Sequence, residues 1–500
     1  MVNLSTFLKW HAARTPDKVA LVFDPERITY SDFYDRTLRM AAFLRHKGIG
    51  EDNVVAVFMK NSAAFLEIAF ATSHLGAVFL PINYRLARDE AEYILGDAGA
   101  SVLFADDEFT DVLSDIPGVE TVFVDDASRH DGRKLAGTGL PIPGMNARKT
   151  GDLFRLMYTS GTTDRPKGVI HSYENFYWKS MSHIISLSLS GNDRCLVVGP
   201  LYHVGAFDLP GIAVLWVGGM LYIERNFDPV DALASIERER LTCAWLAPVM
   251  LGRILSTEDR HRYDVSSLNW CIGGGEKTPE SRIRAFSEYF TQGRYIDGYG
   301  LTETCSGDTL MEAGMEIAKI GSPGRALPHV EVQIRDDDGK ELPPMAVGEI
   351  CVRGPKVTRG YWKNPAKNAD SFFGEWLRTG DVGYMDEDGF LYLTDRKKDM
   401  IITGGENVAS SEVERVIYLL PEVAEVCVIG VPDEKWGETV TAVVVPREGK
   451  SVDQSMIEKH CREYLGGFKV PRKLIIRGTL PRNPSGKILK RILREEYRAG

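Results

Sequence analysis

Hydrophobic and polar positions along the chain fall into three textures. From about Ile28 to Met220, short β-branched runs such as VVAVFM, AVFLPI, SVLFA, TVFV and RCLVVG alternate with longer stretches of helical period. That rhythm predicts α/β layers around largely parallel sheet. Between roughly Val330 and Leu393 the pattern changes to short strands punctuated by turns, as in VEVQIRDDDGKELPPMAVGEICVRG, and predicts a β-rich subdomain. After DRKKDMIITGGENV the order is helix (SSEVERVIYLL), strand (AEVCVIGVP), strand (TVTAVVVP), helix (SMIEKHCREYL) and strand (KLIIRG). The expected fold class is therefore α/β. A large N-terminal domain, residues 1–395, holds layered α/β subdomains plus the β-rich subdomain; a hinge at 396–399 leads to a small mobile α+β domain, 400–500.

Composition adds limits. Five hundred residues exceed one ordinary core, and a 44% hydrophobic content lets each domain bury its own. Sixty basic against seventy acidic residues give a formal charge of −10, with only short basic clusters such as DRKK, which argues against a nucleic-acid partner. The longest apolar stretches, FLEIAFATSHLGAVFLPIN and DLPGIAVLWVGGMLYIE, are broken by Glu, His, Gly or Pro and read as buried core, not as integral membrane segments. The first residues lack the apolar h-region of a secretory signal. Seven widely spaced cysteines, none in a CxxC pair, predict neither a disulfide framework nor a zinc site and fit a cytoplasmic protein.

The stretch YTSGTTDRPKGV, residues 158–169, carries the first candidate chemistry. Lys167 lies six residues after Gly161, but Pro166 and Gly168 replace the second glycine and the hydroxyl residue of a Walker loop, so that reading is excluded. What stays open is a nest of hydroxyls and backbone N–H groups for phosphate oxygens, with Lys167 as a point charge, or a plain solvated turn.

Four more motifs follow in order: YGLTET (299–304), TGD (379–381), DRKKDMIITGGENV (395–408) and PRNPSGK (481–487). Together the five resemble the adenylate-forming superfamily of acyl-CoA and aryl-CoA synthetases, firefly luciferases and peptide-synthetase adenylation domains, over essentially the whole chain. The resemblance implies that a carboxylate attacks the α-phosphate of ATP, releasing pyrophosphate and leaving an acyl-adenylate, from which a thiol displaces AMP. It implies ATP, Mg²⁺ and coenzyme A as cofactors and a small carboxylic acid as substrate, with a carrier-protein pantetheine as the alternative acceptor. Negative charge gathers on phosphorus in the first step, so cations and hydrogen-bond donors are needed there.

Carried over by motif, Lys487 matches the lysine that bridges the substrate carboxylate and the α-phosphate, Thr302 the hydroxyl beside that phosphate, and Glu303 the Mg²⁺ carboxylate. Thr159, Ser160, Gly161, Thr162, Thr163 and Lys167 match the clamp on the outer phosphates. Asp381 resembles the acceptor of the ribose hydroxyls, with Arg396 beside it. Gly274, Gly275, Glu276, Asp297, Gly298, Tyr299 and Gly300 resemble the walls of the adenine slot. His203 falls at the gate of the carboxylate pocket, which Val204, Gly205, Phe207 and Gly274 would line. Gly404 and Gly405 match the loop met by the pantetheine arm, and Lys398 the hinge.

Each position has an ordinary alternative. TGD is a ready β-turn; Glu303 suits the first turn of a helix; His203 suits a satisfied core site; Lys487 suits the surface of a basic tail, KILKRILR; the glycine pair suits a plain turn. Asp164 stands where most relatives carry glycine and is expected to face solvent or to pair with Arg165. The GGGEK and GENVAS variants bear on the substrate, and the texture is nearest to fatty-acyl, feruloyl-type aryl and carbocyclic acid ligases. A carrier-loading adenylation enzyme is the second reading. Amino-acid loading calls for an acid at the gate, where this chain has His203 and Val204, with Asp208 nearby. A non-catalytic paralogue is the third, and the joint presence of Lys487, Glu303, Asp381 and Thr302 argues against it.

Overall fold

Strands Val54–Phe58 and Val78–Pro81 are buried along their whole length, and only Ser101 breaks that pattern in Ala100–Asp106. Such runs suit parallel sheet covered on both faces. The computed structural model describes residues 2–124, 139–159, 165–275, 278–482 and 488–498. These fall into two compact units, Met1–Val332 with Val352–Leu377, and Gln333–Cys351 with Arg378–Gly500.

The first unit holds two sheets. The six-stranded one runs Glu120–Val124, Ala100–Asp106, Val54–Phe58, Val78–Pro81, Leu153–Thr159, Lys167–Ser172, parallel except for the last pair. The nine-stranded one runs Arg325–Ala326, Ser306–Leu310, Arg294–Leu301, Trp270–Gly273, Cys243–Trp245, Arg194–Val197, Met220–Ile223, Val19–Phe23, Glu26–Thr29. Its six central strands are parallel and its outer pairs antiparallel. Helix Ala63–His74 is buried on every side and touches strands of both sheets. A helix apolar all round has to be enclosed, and Ser62 starts it by accepting from the Phe65 N–H at 3.2 Å.

In the second unit, the part of strand Trp376–Met385 from Arg378 onward pairs antiparallel with Leu391–Arg396 and stacks Tyr384 on Tyr392, centroids 5.1 Å apart. The tail forms a sheet in the order Glu406–Val408, Ile401–Thr403, Gly437–Pro446, Val423–Asp433, with Lys473–Ile476 parallel to Gly437–Pro446. Helices Ser410–Ile417 and Gln454–Tyr464 cover it through Val413, Val416, Ile457 and Cys461. The sequence leaves two local features open. TGD is not a turn between elements but lies inside the strand Trp376–Met385, with Gly380 at φ +73°. The basic segment near the end forms a helix, Lys490–Tyr497, because Leu493 packs fully buried against Ile429 and Val431.

Candidate active site

Four neighbouring parallel strands, Arg194–Val197, Cys243–Trp245, Trp270–Gly273 and Arg294–Leu301, end on one edge of the nine-stranded sheet. Ligands bind open α/β sheets outside the carboxyl ends of their strands. His203 follows the first strand, Gly274 and Gly275 follow the third, and Asp297 to Gly300 close the fourth. Gly273 and Asp297 are register partners, and a Cβ on Gly274 would lie 3.0 Å from the Gly298 carbonyl, so glycine permits that approach. His203 caps the short helix Val204–Ala206, its Nδ1 accepting from the Gly205 N–H at 3.1 Å. The Trp245 indole lies over Gly205, where a Cβ would meet it at 2.5 Å, and Val204 and Phe207 are buried beside it.

Beyond Leu301 the chain turns through a 3₁₀ segment, Thr302–Thr304, then passes two successive non-glycine residues at positive φ, Cys305 (+54°) and Ser306 (+85°). Such a backbone costs on the order of 1 kcal/mol per residue and persists only where its surroundings hold it. The buried Lys356 ammonium does so, with the carbonyls of Thr304 at 2.8 Å, Ser306 at 2.9 Å and Gly307 at 2.6 Å around it and Asp308 at 2.7 Å. Tyr361 donates to Glu303 Oε1 at 2.9 Å, and the Thr358 N–H to the Glu303 carbonyl at 2.7 Å. Glu303 thus sits in the first turn of a short helix, and its carboxylate is fixed as well.

Behind this turn lies a network that sequence reasoning missed. Arg155 donates through Nε to His171 Nδ1 at 2.8 Å, which leaves His171 Nε2 to donate to the Thr302 carbonyl at 2.6 Å. Burial, then the Arg155 charge, lowers the His171 pKa to about 3, so the ring stays neutral and holds that tautomer. Asp208 pairs with Arg155 and, at 3.0 Å, with Lys179, all three fully buried. Burial alone would raise the Asp208 pKa, but the two cations bring it to about 2. The available signal was a lone arginine inside the apolar strand LFRLMY.

The hairpin of strands Leu153–Thr159 and Lys167–Ser172 pairs Thr159 with Lys167 and Tyr158 with Gly168, whose missing side chain admits the Tyr158 ring. Arg165 lies over the Tyr93 ring, 4.9 Å from its centroid. Ser160, Gly161, Thr162, Thr163, Asp164, Glu276 and Lys487 lie outside the described residues. Around Lys487, Pro481 accepts from the Leu489 N–H at 2.8 Å.

In the second unit Asp381 and Arg396 are cross-strand partners joined at 3.1 Å, with the carboxylate buried and the guanidinium partly exposed. Gly404 (φ +60°) and Gly405 (φ +83°) form the two-residue turn of a hairpin whose flanking pair is Thr403 and Glu406. Positive φ at both central positions is what such a turn requires. Lys398 lies in the turn after Leu391–Arg396, and burial lowers its pKa.

The profile of the AMP-binding enzyme family matches residues 8–362, and that of the AMP-binding enzyme C-terminal domain matches 412–487. The chain belongs to the AMP-binding family. Among curated members, it is 35% identical over 487 residues to a feruloyl-CoA synthase of Amycolatopsis sp, covering 97% of each chain. It is 35% identical over 509 residues to the long-chain-fatty-acid–CoA ligase FadD13 of Mycobacterium tuberculosis, covering 100% of this chain and 99% of the other. Among solved structures, the o-succinylbenzoate CoA synthetase of Bacillus subtilis in complex with ATP and magnesium ion superposes with a TM-score of 0.88 at 30% identity, covering 98% of this chain and 99% of that one. This AMP-binding enzyme is an AMP-forming acid–thiol ligase of the CoA synthetase kind, with the mixed α/β fold expected. No helix among its described residues is long and apolar enough to cross a membrane.

Proposed function

We propose that the enzyme activates an organic acid whose only charged group is the reacting carboxylate, a fatty, aryl or carbocyclic acid, and passes it to coenzyme A. The observation that carries this is the state of Asp208. It is the carboxylate closest in sequence to the His203 gate, and Arg155 and Lys179 already neutralise it. An amino-acid substrate would therefore find no counter-charge there, while Val204, Phe207 and Trp245 offer apolar walls. The feruloyl-CoA and long-chain fatty-acid ligases among the relatives support the aryl and fatty members of that range.

In this reading the hairpin loop and the glycine-lined strand ends of the first unit serve the phosphates and the adenine, while in the second Asp381 serves the ribose hydroxyls and Lys487 the adenylation step. Glu303 suits Mg²⁺, a hard cation that takes one or two carboxylates and completes its shell with phosphate oxygens; bound there, the ion would offset charge on the phosphates. Thr302 positions the α-phosphate, and the Gly404–Gly405 turn lets the pantetheine arm approach backbone. A turn about Lys398 would exchange Lys487 for that loop between the two half-reactions.

Pyrophosphate release measured over a panel of acids, with and without CoA, tests the reading. Release with apolar acids, and thioester formation only with CoA, is expected; release without thioester would favour a carrier-protein acceptor, and no release with any acid would overturn it. Lys487→Ala should slow adenylation by at least about a hundredfold and spare thioester formation from supplied acyl-adenylate. Loss of both steps would sink the division of labour.

A further inference from the structure

His183 sits one helical turn after Lys179 on helix Tyr173–Ser186, and both side chains are fully buried. Its Nδ1 lies 3.3 Å from the main-chain carbonyl of Asp208; a carbonyl only accepts, so Nδ1 carries the proton. Burial, then the charges of Lys179 and Lys356, holds the ring well below the usual histidine range. The imidazole is neutral, and Nε2 presents a lone pair. That nitrogen is buried and has no hydrogen-bond partner. A buried acceptor without a donor costs free energy, and native structures keep few of them without a ligand or an ordered water in view.

Nε2 lies beside Gly307. A Cβ built on Gly307 would lie 3.5 Å from it, 3.2 Å from Leu209 Cδ2 and 3.8 Å from Leu310 Cδ2. The unpaired nitrogen therefore borders the space left by the side chain that a glycine lacks, with two leucines beside it. Leu209 belongs to the segment that begins at the His203 gate, and Gly307 follows directly on the turn that carries Thr302 and Glu303. The acceptor thus lies near both the segment proposed to line the acid pocket and the turn proposed to serve the α-phosphate and Mg²⁺.

We propose that His183 Nε2 accepts a hydrogen bond from a hydroxyl group on the acyl part of the substrate, making the enzyme a ligase for hydroxylated carboxylic acids. The inference rests on the acid–CoA ligase reading above and narrows it. A lone pair rewards a donor and repels a keto or second carboxylate oxygen, and the leucines favour a group without charge. A site built to bond a substrate hydroxyl discriminates strongly against the analogue that lacks it, because its own polar atom is then left unpaired.

The test uses matched acids, each with and without one hydroxyl, placed along aryl, carbocyclic and aliphatic frames, and compares kcat/KM for pyrophosphate release. The full-length enzyme should prefer at least one hydroxylated member by tenfold or more. His183→Phe should bring that ratio close to one while the deoxy acid is still turned over, and His183→Gln, which keeps an acceptor, should restore part of it. Gly307→Ala leaves the imidazole intact but places a methyl over Nε2, so it should lose the preference as well, which separates recognition from a folding defect. Turnover of deoxy acids with no preference anywhere in the panel overturns this inference, since an ordered water then satisfies Nε2, and leaves the ligase reading standing. A preference that survives both His183→Phe and Gly307→Ala also overturns it, whereas no release with any acid overturns the ligase reading itself.

Discussion

In the first unit Arg155, Lys179 and Lys356 meet Asp208 and Asp308 with no side chain of the five more than 1% exposed. In the second, Arg396, Lys397 and Arg494 meet Asp381, Glu349 and Asp399 with the cations 25% to 41% exposed and the carboxylates 4% to 12%. A charge out of water depends wholly on its partners, so the first arrangement cannot rearrange cheaply and serves to hold a backbone. A cation in partial contact with water yields its place at small cost. Asp381 can therefore trade Arg396 for other donors, which is what the ribose role proposed for it would require.

The comparison repeats inside the first unit. Asp208 and Asp308 are equally buried, yet the pair of cations lowers the Asp208 pKa to about 2, whereas burial outweighs Lys356 and raises that of Asp308. Lys356 is shared with three carbonyls; its first task is the strained turn.

The largest effect should come from Arg155→Met, which leaves Asp208 with one cation and His171 without its donor. Urea unfolding should show a loss of about 3–5 kcal/mol, and a loss below about 1 kcal/mol would erase the contrast between the units. Next comes acidity. His171 titrates near 3 when folded and His183 well below its ordinary value, so the unfolded chain binds more protons wherever the pH drops below about 6.5. Stability should be complete above that point and fall below it, toward pH 3 for His171, by up to about 1.4 kcal/mol per pH unit for each ring. Unfolding midpoints at pH 7.5 and 5 would check this; a flat profile would mean the rings are not held neutral. The smallest effect on stability belongs to Arg396→Gln, under about 1 kcal/mol, with a KM for ATP raised roughly tenfold, about the worth of one charged hydrogen bond. Thermal unfolding and initial rates would separate the two, and a stability loss to match Arg155→Met would break the comparison from the other side.

The layered α/β part, the β-rich stretch and the order of the small domain were legible because each rests on local period and turn residues. The five motifs were legible for the same reason, being contiguous. The β-turn that stood as the ordinary alternative for TGD does not separate two elements, because the long pairing of Trp376–Met385 with Leu391–Arg396 overrides a composition that suits a turn. The last helix was missed because Leu493 finds its neighbours on strands far back in the chain. The buried network was hidden for a deeper reason. Arg155, Lys179, Asp208, Asp308 and Lys356 are scattered over two hundred residues, and each alone looks like an exposed charge; only the fold makes them neighbours. The possibility that Asp208 receives an amino group closes once its two cations are seen.

Gly274, Gly275 and His203 lie past the ends of strands whose bodies are core, and Asp297 and Gly298 sit within Arg294–Leu301 where its parallel pairing with Trp270–Gly273 stops. The consequence is one of evolvability. Apolar strand interiors carry the folding energy, so the short segments beyond them, where the proposed site lies, can be exchanged with little loss of it. A directed-evolution library confined to the segments after those four strands would sample substrate preference while leaving the stability of the scaffold nearly untouched.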